Sequence, residues 1–359
     1  MRITIEKSIS QLDSVWQQWE AEGSLHAFQT RAFVQTWIET AAAAQHRQPR
    51  LALVELDNAP AMLFPLVLRP RFGMQILEFC GGLLCDYEAP VLAPNCPDLD
   101  ARTFQNIWSS IVRQSGAQAA HLRQISTVIP NADGTERSNP LTLLKVWNAG
   151  SSSASQSGGV DGATHLGRIH KKKLAQDSRR QLKRLAELGE VRFATADLPE
   201  EATRFTKAMI VQKRRRYEET GVFDIFSMPG HDEFYLRMSQ QWCGPQNSPR
   251  VHISAMMLDD TILATHWGLQ WRHSFNYLMP AHEGGALQKY SSGRLLLEWL
   301  ISQVLDNDCT CFDFTVGAEG YKADWCNAEL PLYGHVQTTG ARGHAYAAML
   351  RLKQAIART

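Results

Sequence analysis

Between Phe275 and Trp325 the chain reads strand, small-residue loop, helix, strand and turn, and few folds accept that order. An apolar strand, Phe275 to His282, runs into the short loop Tyr290-Ser291-Ser292-Gly293-Arg294. The loop opens an amphipathic helix from Arg294 to about Asp306. A second strand, Thr310 to Thr315, and the turn Val316-Gly317-Ala318-Glu319-Gly320 precede Tyr321-Lys322-Ala323-Asp324-Trp325. Small residues at a helix start leave backbone N–H groups free and turn the positive end of the helix dipole outward, which suits a phosphate or another anion. The plainer reading is an ordinary helix start capped by Ser292 beside a buried strand. The tyrosine and lysine just past the second strand tip the balance, because their side chains can return to the same pocket.

At 359 residues the chain exceeds a usual single core, so two domains are expected. A formal net charge of +1 counts against a protein whose main task is to grip nucleic-acid backbone, and leaves only local basic clusters for that work. Met1 to Lys7 alternates like a strand, and no apolar run reaches the length of a signal core or a membrane span. A soluble, cytoplasmic protein without a transmembrane segment is the expectation. The seven cysteines include no Cys-x-x-Cys pair and no histidine at finger-like spacing, so they read as reduced, mostly buried thiols with no metal.

Residues 148–163 are rich in Gly and Ser and cannot bury apolar area, which predicts a mobile linker or loop between 1–147 and 164–359. The two sides repeat one plan. The first has strands at Leu51 to Leu56, Ala61 to Leu68 and Met74 to Phe79, a helix from Ala101 to Arg113 and a strand from Ala119 to Ile125. The second has Val251 to Leu258 and Thr261 to Trp271 ahead of the stretch described above. Each hairpin turns at an Asp-Asn or Asp-Asp pair, Asp57-Asn58 or Asp259-Asp260. Amphipathic helices open each half, at Leu12 to Ala21 and Ala32 to Ala42, then at Leu174 to Leu188 and Glu200 to Arg216. The pattern is a duplicated α+β unit. Before its helix the first half carries the proline-rich run Glu88 to Pro97 in place of a Gly loop, so only the second half is expected to seat a phosphate.

This order is similar to that of the GNAT acyltransferase fold. At Leu182 to Phe193, Lys289 to Leu296, Phe312 to Lys322 with Trp325, and Phe33 to Trp37, the chain resembles the tandem-GNAT, CelD-like (cellulose-biosynthesis type) acetyltransferases, relatives of the FemABX peptidyltransferases. The resemblance implies duplicated GNAT-like domains, each a mixed, mostly antiparallel sheet flanked by helices, the first lacking its own cofactor site. It implies acyl-CoA (acetyl-CoA or longer) as co-substrate, and an amine or hydroxyl acceptor that is small, lipid-linked or part of a polysaccharide. A FemABX-type transferase using aminoacyl-tRNA is the alternative, and a non-catalytic protein of exopolysaccharide assembly a third. Tyr290, Ser291, Ser292, Gly293 and Arg294 would hold the carrier, a backbone N–H around Met279 to Ala281 would polarise the carbonyl, and Tyr321 would protonate the departing sulfur. The chain departs from the family in having Ser292 where proline is usual, which loosens the loop without removing its donors. It also lacks the longer, glycine-richer loop of ordinary GNAT enzymes.

Each candidate residue has a plain alternative. Tyr321 is either the proton donor or a half-buried aromatic on the strand. Lys322 binds a phosphate or an acceptor carboxylate, or is a solvated helix lysine, and Trp325 is grouped with it on the substrate side. Asp313, between two phenylalanines, orients Lys322 or Tyr290 or acts as base, since strands disfavour an unpaired aspartate. His282 and His266 are the histidines nearest the pocket, each a base or a hydrogen-bonded core residue. Glu319 is a further base or a stabiliser of a helix start. Lys171 and Arg180 belong to a basic helical run, either a solvated face or a contact for CoA phosphates, an anionic acceptor, an RNA acceptor stem or anionic lipid. Lys213 to Arg216 are accounted for as the basic end of a helix.

Overall fold

A computed structural model of the chain describes residues 1–307, 309–317 and 319–356, so Ala318 of the turn after the second strand lies outside the described residues. The elements run β1 (Arg2–Glu6), α1 (Asp13–Glu22), α2 (Arg31–Trp37), β2 (Gln48–Leu56), β3 (Ala59–Arg71), β4 (Met74–Phe79), β5 (Val91–Leu92), α3 (Ala101–Ser115), β6 (Ala119–Ile125), β7 (Val128–Pro130) and β8 (Glu136–Ser138). They continue with β9 (Trp147–Gln156), α4 (Gly162–Ile169), α5 (Lys172–Ala186), β10 (Val191–Thr195), α6 (Pro199–Thr220), α7 (His231–Trp242), β11 (Arg250–Leu258), β12 (Thr261–Trp271), β13 (Ser274–His282), α8 (Ser292–Leu305), β14 (Cys311–Val316), β15 (Ala328–Thr338) and α9 (Gly340–Ile356). Among the described residues no helix is long and apolar enough to cross a membrane.

The chain divides into two compact units, residues 1–150 with 331–359, and residues 151–330. The Gly/Ser stretch expected to be a mobile linker is instead largely strand β9, whose Ser152 to Gln156 pair antiparallel with β14. Small residues carry no burial period, so only the long-range partner reveals the strand. Residues 331–356 join the first unit rather than extending the second.

In the first unit the sheet order is β1-β2-β3-β4-β6 with β15 beside β6, and β5 adds to β3. The β2–β3 hairpin turns through Asp57 and Asn58, both left-handed (φ 50° and 64°), the conformation that matches the twist of a two-residue hairpin. Ala61 to Leu68 are buried without interruption, as befits a strand covered on both faces. Strands β4 and β6 are parallel but pair only at Ile76 and Leu77 with Ala119 and Ala120. Beyond that the chain fills the opening itself. The Glu88 N–H donates to Gln124 O at 2.8 Å, and its carboxylate accepts the Arg123 N–H at 2.7 Å. The following helix, α3, is capped by Asp100, whose side chain accepts the Thr103 N–H at 3.0 Å.

In the second unit the order is β9-β14-β13-β12-β11-β10. Leu295, Leu296, Leu300 and Ile301 of α8 pack on Phe275, Tyr277, Phe312 and Phe314 of the sheet. Each such side chain contributes about 1.5–3 kcal/mol on burial. Strands β13 and β14 are parallel, and their ladder is three residues long: Ser274 to Asn276 against Cys311 to Asp313. Past Asn276 the strands part, and this gap is not filled by a loop of the kind that closes the first unit.

Glu78, fully buried on β4, is held by Arg69 at 2.7 Å, Arg47 at 3.4 Å and Arg123 at 3.5 Å. Burial alone would raise its carboxyl, but the three guanidiniums outweigh it and bring the pKa down to about 2. Its folded-state pKa is depressed, so its stabilisation is present above the ordinary carboxyl range and fades as pH falls towards 2. Glu78→Gln should therefore lose about 3–5 kcal/mol in urea unfolding at pH 7, because three guanidiniums lose their counter-charge, and the deficit should shrink in acid. A loss below 1 kcal/mol would mean the arginines are neutralised elsewhere.

Candidate active site

Helix α8 starts in an unusual way. Ser291 precedes it in the left-handed region (φ 56°), which costs a non-glycine residue about 1–3 kcal/mol and is kept only where the surroundings enforce it. Its carbonyl accepts the N–H groups of Arg294 at 2.9 Å and Leu295 at 3.1 Å. Ser292 is not the expected cap: its hydroxyl turns away and donates to Leu263 O at 3.2 Å. No side chain caps the helix. The N–H groups of Ser292 and Gly293 thus find no acceptor among the described residues, as the first turn of a helix leaves them. A methyl group at Gly293 would meet His282 Cδ2 at 3.4 Å, an ordinary contact, so glycine keeps the place open rather than relieving strain.

Gly293 and Arg294 of this first turn line a cavity of about 640 Å³. The gap after Asn276 supplies one wall through Tyr277, Pro280, Ala281 and His282 of β13. Gly293 and Arg294 come from α8, Lys213 and Arg216 from α6, Thr265 from β12 and Leu174 from α5. The segment after β14 closes the space with Glu319, Tyr321, Asp324 and Trp325. Of the residues singled out in the sequence, Gly293, Arg294, Ala281, His282, Glu319, Tyr321 and Trp325 are brought together here.

Strand β13 carries a bulge: Met279 faces Trp267 and Tyr277 faces Gly268, leaving Leu278 extra. Pro280 has no N–H, so within the stretch expected to polarise a carbonyl only Met279 and Ala281 retain a backbone donor. The Met279 side chain itself is buried outside the cavity lining. His282 lines the cavity and has Nδ1 3.1 Å from Glu283 O. A ring that donates there keeps a lone pair on Nε2. Tyr321 is 40% exposed, with its ring edge on Phe314. Burial of its hydroxyl, reinforced by the negative charge of Glu319, pushes its pKa up and holds it protonated.

Several expectations change. Lys322 is buried, and its ammonium donates to Phe314 O (2.9 Å), Val316 O (2.9 Å) and Gly317 O (3.3 Å) while pairing with Glu319 at 2.9 Å. It ties off the end of β14 and has no donor left for a substrate. His266 is fully buried, stacked on Tyr277 at 4.3 Å and 3°, and neither ring nitrogen has a partner. Burial holds it neutral with its pKa well below the ordinary value, which makes it a core residue beneath the cavity wall rather than a base. Asp313 accepts the Thr315 N–H at 2.7 Å, fixing a left-handed Thr315 (φ 55°), and does not line the cavity. Tyr290 is buried, with Arg184 and Lys289 over its ring. Lys171 reaches the rim only through its pair with Asp324. Arg180 does so only through Asp177, which also pairs with Arg294.

Lys213 and Arg216 are the residues the sequence reading missed. Helix α6 does not end at Arg216 but runs to Thr220 and stops at a left-handed Gly221 (φ 66°), so the basic run lies inside the helix. Gly221 is the terminal signal that marks the true end. Burial brings the Lys213 pKa down to about 8, against the opposing pull of Glu319. Among the described residues no cluster of His, Cys, Asp and Glu could hold a metal ion.

A family model described as Acetyltransferase (GNAT) domain matches residues 172–323, the span that contains all of the cavity lining except Asp324 and Trp325. No curated protein sequence matches the chain significantly. The crystal structure of FemX has a TM-score of 0.61 at 9% identity over 94% of this chain and 98% of that one. A conserved protein of unknown function from Bacteroides thetaiotaomicron VPI-5482 gives 0.55 at 8% identity over 94% and 100%. A tandem GNAT protein from the clavulanic acid biosynthesis pathway, solved without AcCoA, gives 0.50 at 10% over 95% and 99%. At these identities the likeness is one of fold, and the fold is α+β of the tandem-GNAT type.

Lys322→Met should destabilise the protein by about 2–4 kcal/mol in denaturant unfolding, because carbonyls at the end of β14 lose a charged donor. If its role is structural, ligand affinity per folded molecule stays near wild type. A variant of unchanged stability with weakened ligand binding would return Lys322 to the substrate.

Proposed function

We propose that residues 151–330 form an acyltransferase that moves an acyl group from acyl-CoA to an amine or hydroxyl. The observation that carries this reading is the uncapped start of α8. Gly293, in its first turn, lines a cavity that begins where β13 and β14 part. An amide pair at the positive end of a helix suits the pyrophosphate of CoA. Arg184, Lys289 and Arg294 lie around the same loop and suit its further phosphate. The match of residues 172–323 to the GNAT domain supports the assignment.

Acyl-CoA supplies a thioester carbonyl, electrophilic at carbon and ready to release a thiolate. The chain's part is to hold, polarise and move protons. A backbone N–H of β13 in the bulged stretch around Met279 to Ala281 is offered to the carbonyl oxygen, a donor type that strengthens as negative charge develops. His282, through Nε2, accepts the proton that the acceptor loses on forming its bond to the acyl carbon. Tyr321, kept protonated, gives its hydroxyl proton to the sulfur as the carbon–sulfur bond breaks. Glu319 orders this side of the cavity through its pair with Lys322. An acceptor carried on a glycan or lipid, and a cytoplasmic setting, fit the CelD-like resemblance.

One observation favours a second reading. Lys172, Lys173, Arg179, Arg180 and Lys183 are exposed along α5, which is tied to α8 through Asp177 and Arg294. A basic face beside the carrier loop, together with a fold like that of FemX, suits an aminoacyl-tRNA donor.

Acetyl-CoA at 100 times its Kd should raise the melting temperature by a few degrees, and Gly293→Trp should abolish the shift while the protein stays folded. A salt-sensitive response to aminoacyl-tRNA, lost when Lys171 to Lys173 are neutralised and accompanied by silence towards acyl-CoA, would establish the second reading instead. In steady-state transfer Tyr321→Phe should lower kcat about 100-fold at nearly unchanged KM for acyl-CoA, and unaltered kcat would remove Tyr321 from proton transfer.

A further inference from the structure

The charged residues lining the cavity are Lys213, Arg216, Arg294, Glu319 and Asp324. Four of them are already neutralised by the chain. Arg216 pairs with Glu219 at 3.5 Å and Glu319 with Lys322 at 2.9 Å, while Arg294 pairs with Asp177 and Asp324 with Lys171. Lys213 alone among these has neither an ion pair nor a hydrogen bond with the described residues. Its ammonium has only the Tyr217 ring, 5.7 Å to the centroid, and the more distant charge of Glu319.

We infer that Lys213 is the docking point for a negatively charged group on the acceptor, a carboxylate or a phosphate, so that the enzyme selects anionic amines or alcohols over neutral ones. This rests on the acyltransferase reading of the same cavity. Lys213 is partly buried, and a cation partly withdrawn from water without a partner is one that an entering anion can complete. Lys213 stands on α6, whereas the amides assigned to the carrier stand on α8, so the two anion positions belong to different elements. The depressed pKa of Lys213 has the same origin, and a bound anion would raise it again.

The test uses the full chain with matched probes: glucosamine 6-phosphate against glucosamine, and lysine against lysinamide. Each is titrated by calorimetry and thermal shift, with and without acetyl-CoA. The phosphate or carboxylate member of a pair should bind about 10–100-fold more tightly than its neutral partner. Lys213→Met should erase that preference without altering the neutral partner's affinity, and Lys213→Arg should retain most of it. Equal binding of charged and neutral members, or a preference that survives in Lys213→Met, overturns the inference. Which pair responds separates phosphate from carboxylate. The acetyl-CoA titration reads the donor separately: no response to acetyl-CoA in wild type defeats the acyl-CoA reading, while the probe pairs still report on Lys213.

Discussion

The second unit depends on a parallel ladder that stops after three residues. Strands β13 and β14 pair from Ser274 to Asn276 and then separate, although continued pairing would satisfy more backbone groups. Each buried amide or carbonyl left alone costs about 1–3 kcal/mol, so the separation persists only because other groups take the bonds. Lys322 gathers the carbonyls of Phe314, Val316 and Gly317, and Asp313 takes the Thr315 N–H. On the other strand Pro280 has no N–H to leave unpaired. Residues that looked like chemistry in the sequence thus hold the cavity open. The cost of a left-handed, β-branched Thr315 belongs to the same arrangement.

The two units build the same scaffold and finish its helix start differently. Both have a parallel pair that parts early, β4 with β6 and β13 with β14. Both follow it with a helix. In the first unit Glu88 takes the free edge of β6, and Asp100 caps α3 with its own carboxylate. An anion built into the chain occupies the helix start where a ligand's anion would otherwise go. In the second unit Ser291 contributes no side-chain cap, and Ser292 turns its hydroxyl to Leu263. The two units differ in who supplies the acceptor at the helix N-terminus: a side chain of the chain itself at α3, and no side chain at α8.

The hairpins, the helices and the duplicated plan were legible because burial periodicity and turn residues are local signals. Val251 to Leu258 and Thr261 to Trp271 follow their apolar pattern and two-residue turn almost to the residue. The loop before α8 was legible for the same reason. Strand β9 was not, since Gly and Ser give no pattern and only pairing with β14 makes them a strand. Side-chain direction was also hidden. The strand position of Asp313 was readable, but its bond to Thr315 depends on a left-handed backbone that no propensity signals. His266 looked equivalent to His282, yet it lies a layer deeper beneath Tyr277. Lys213 was missed because a basic run normally marks a helix end, and here the helix continues to Gly221.

The cavity divides its labour between a generic end and a particular one. The α8 side offers backbone amides, which accept any phosphate carrier and say little about what is transferred to. The α6 side offers side chains, and there the charges are unequal: most are cancelled within the chain and one is not. A chain free to place a carboxylate beside Lys213 has not done so, although Glu319 and Asp324 stand on the same cavity wall and are committed to Lys322 and Lys171. Pairing those acids elsewhere keeps them from quenching the lysine, and it leaves the wall with a positive charge that only something entering the cavity can complete. Under the proposal, specificity would reside in α6, the element whose basic run read as ordinary helix chemistry.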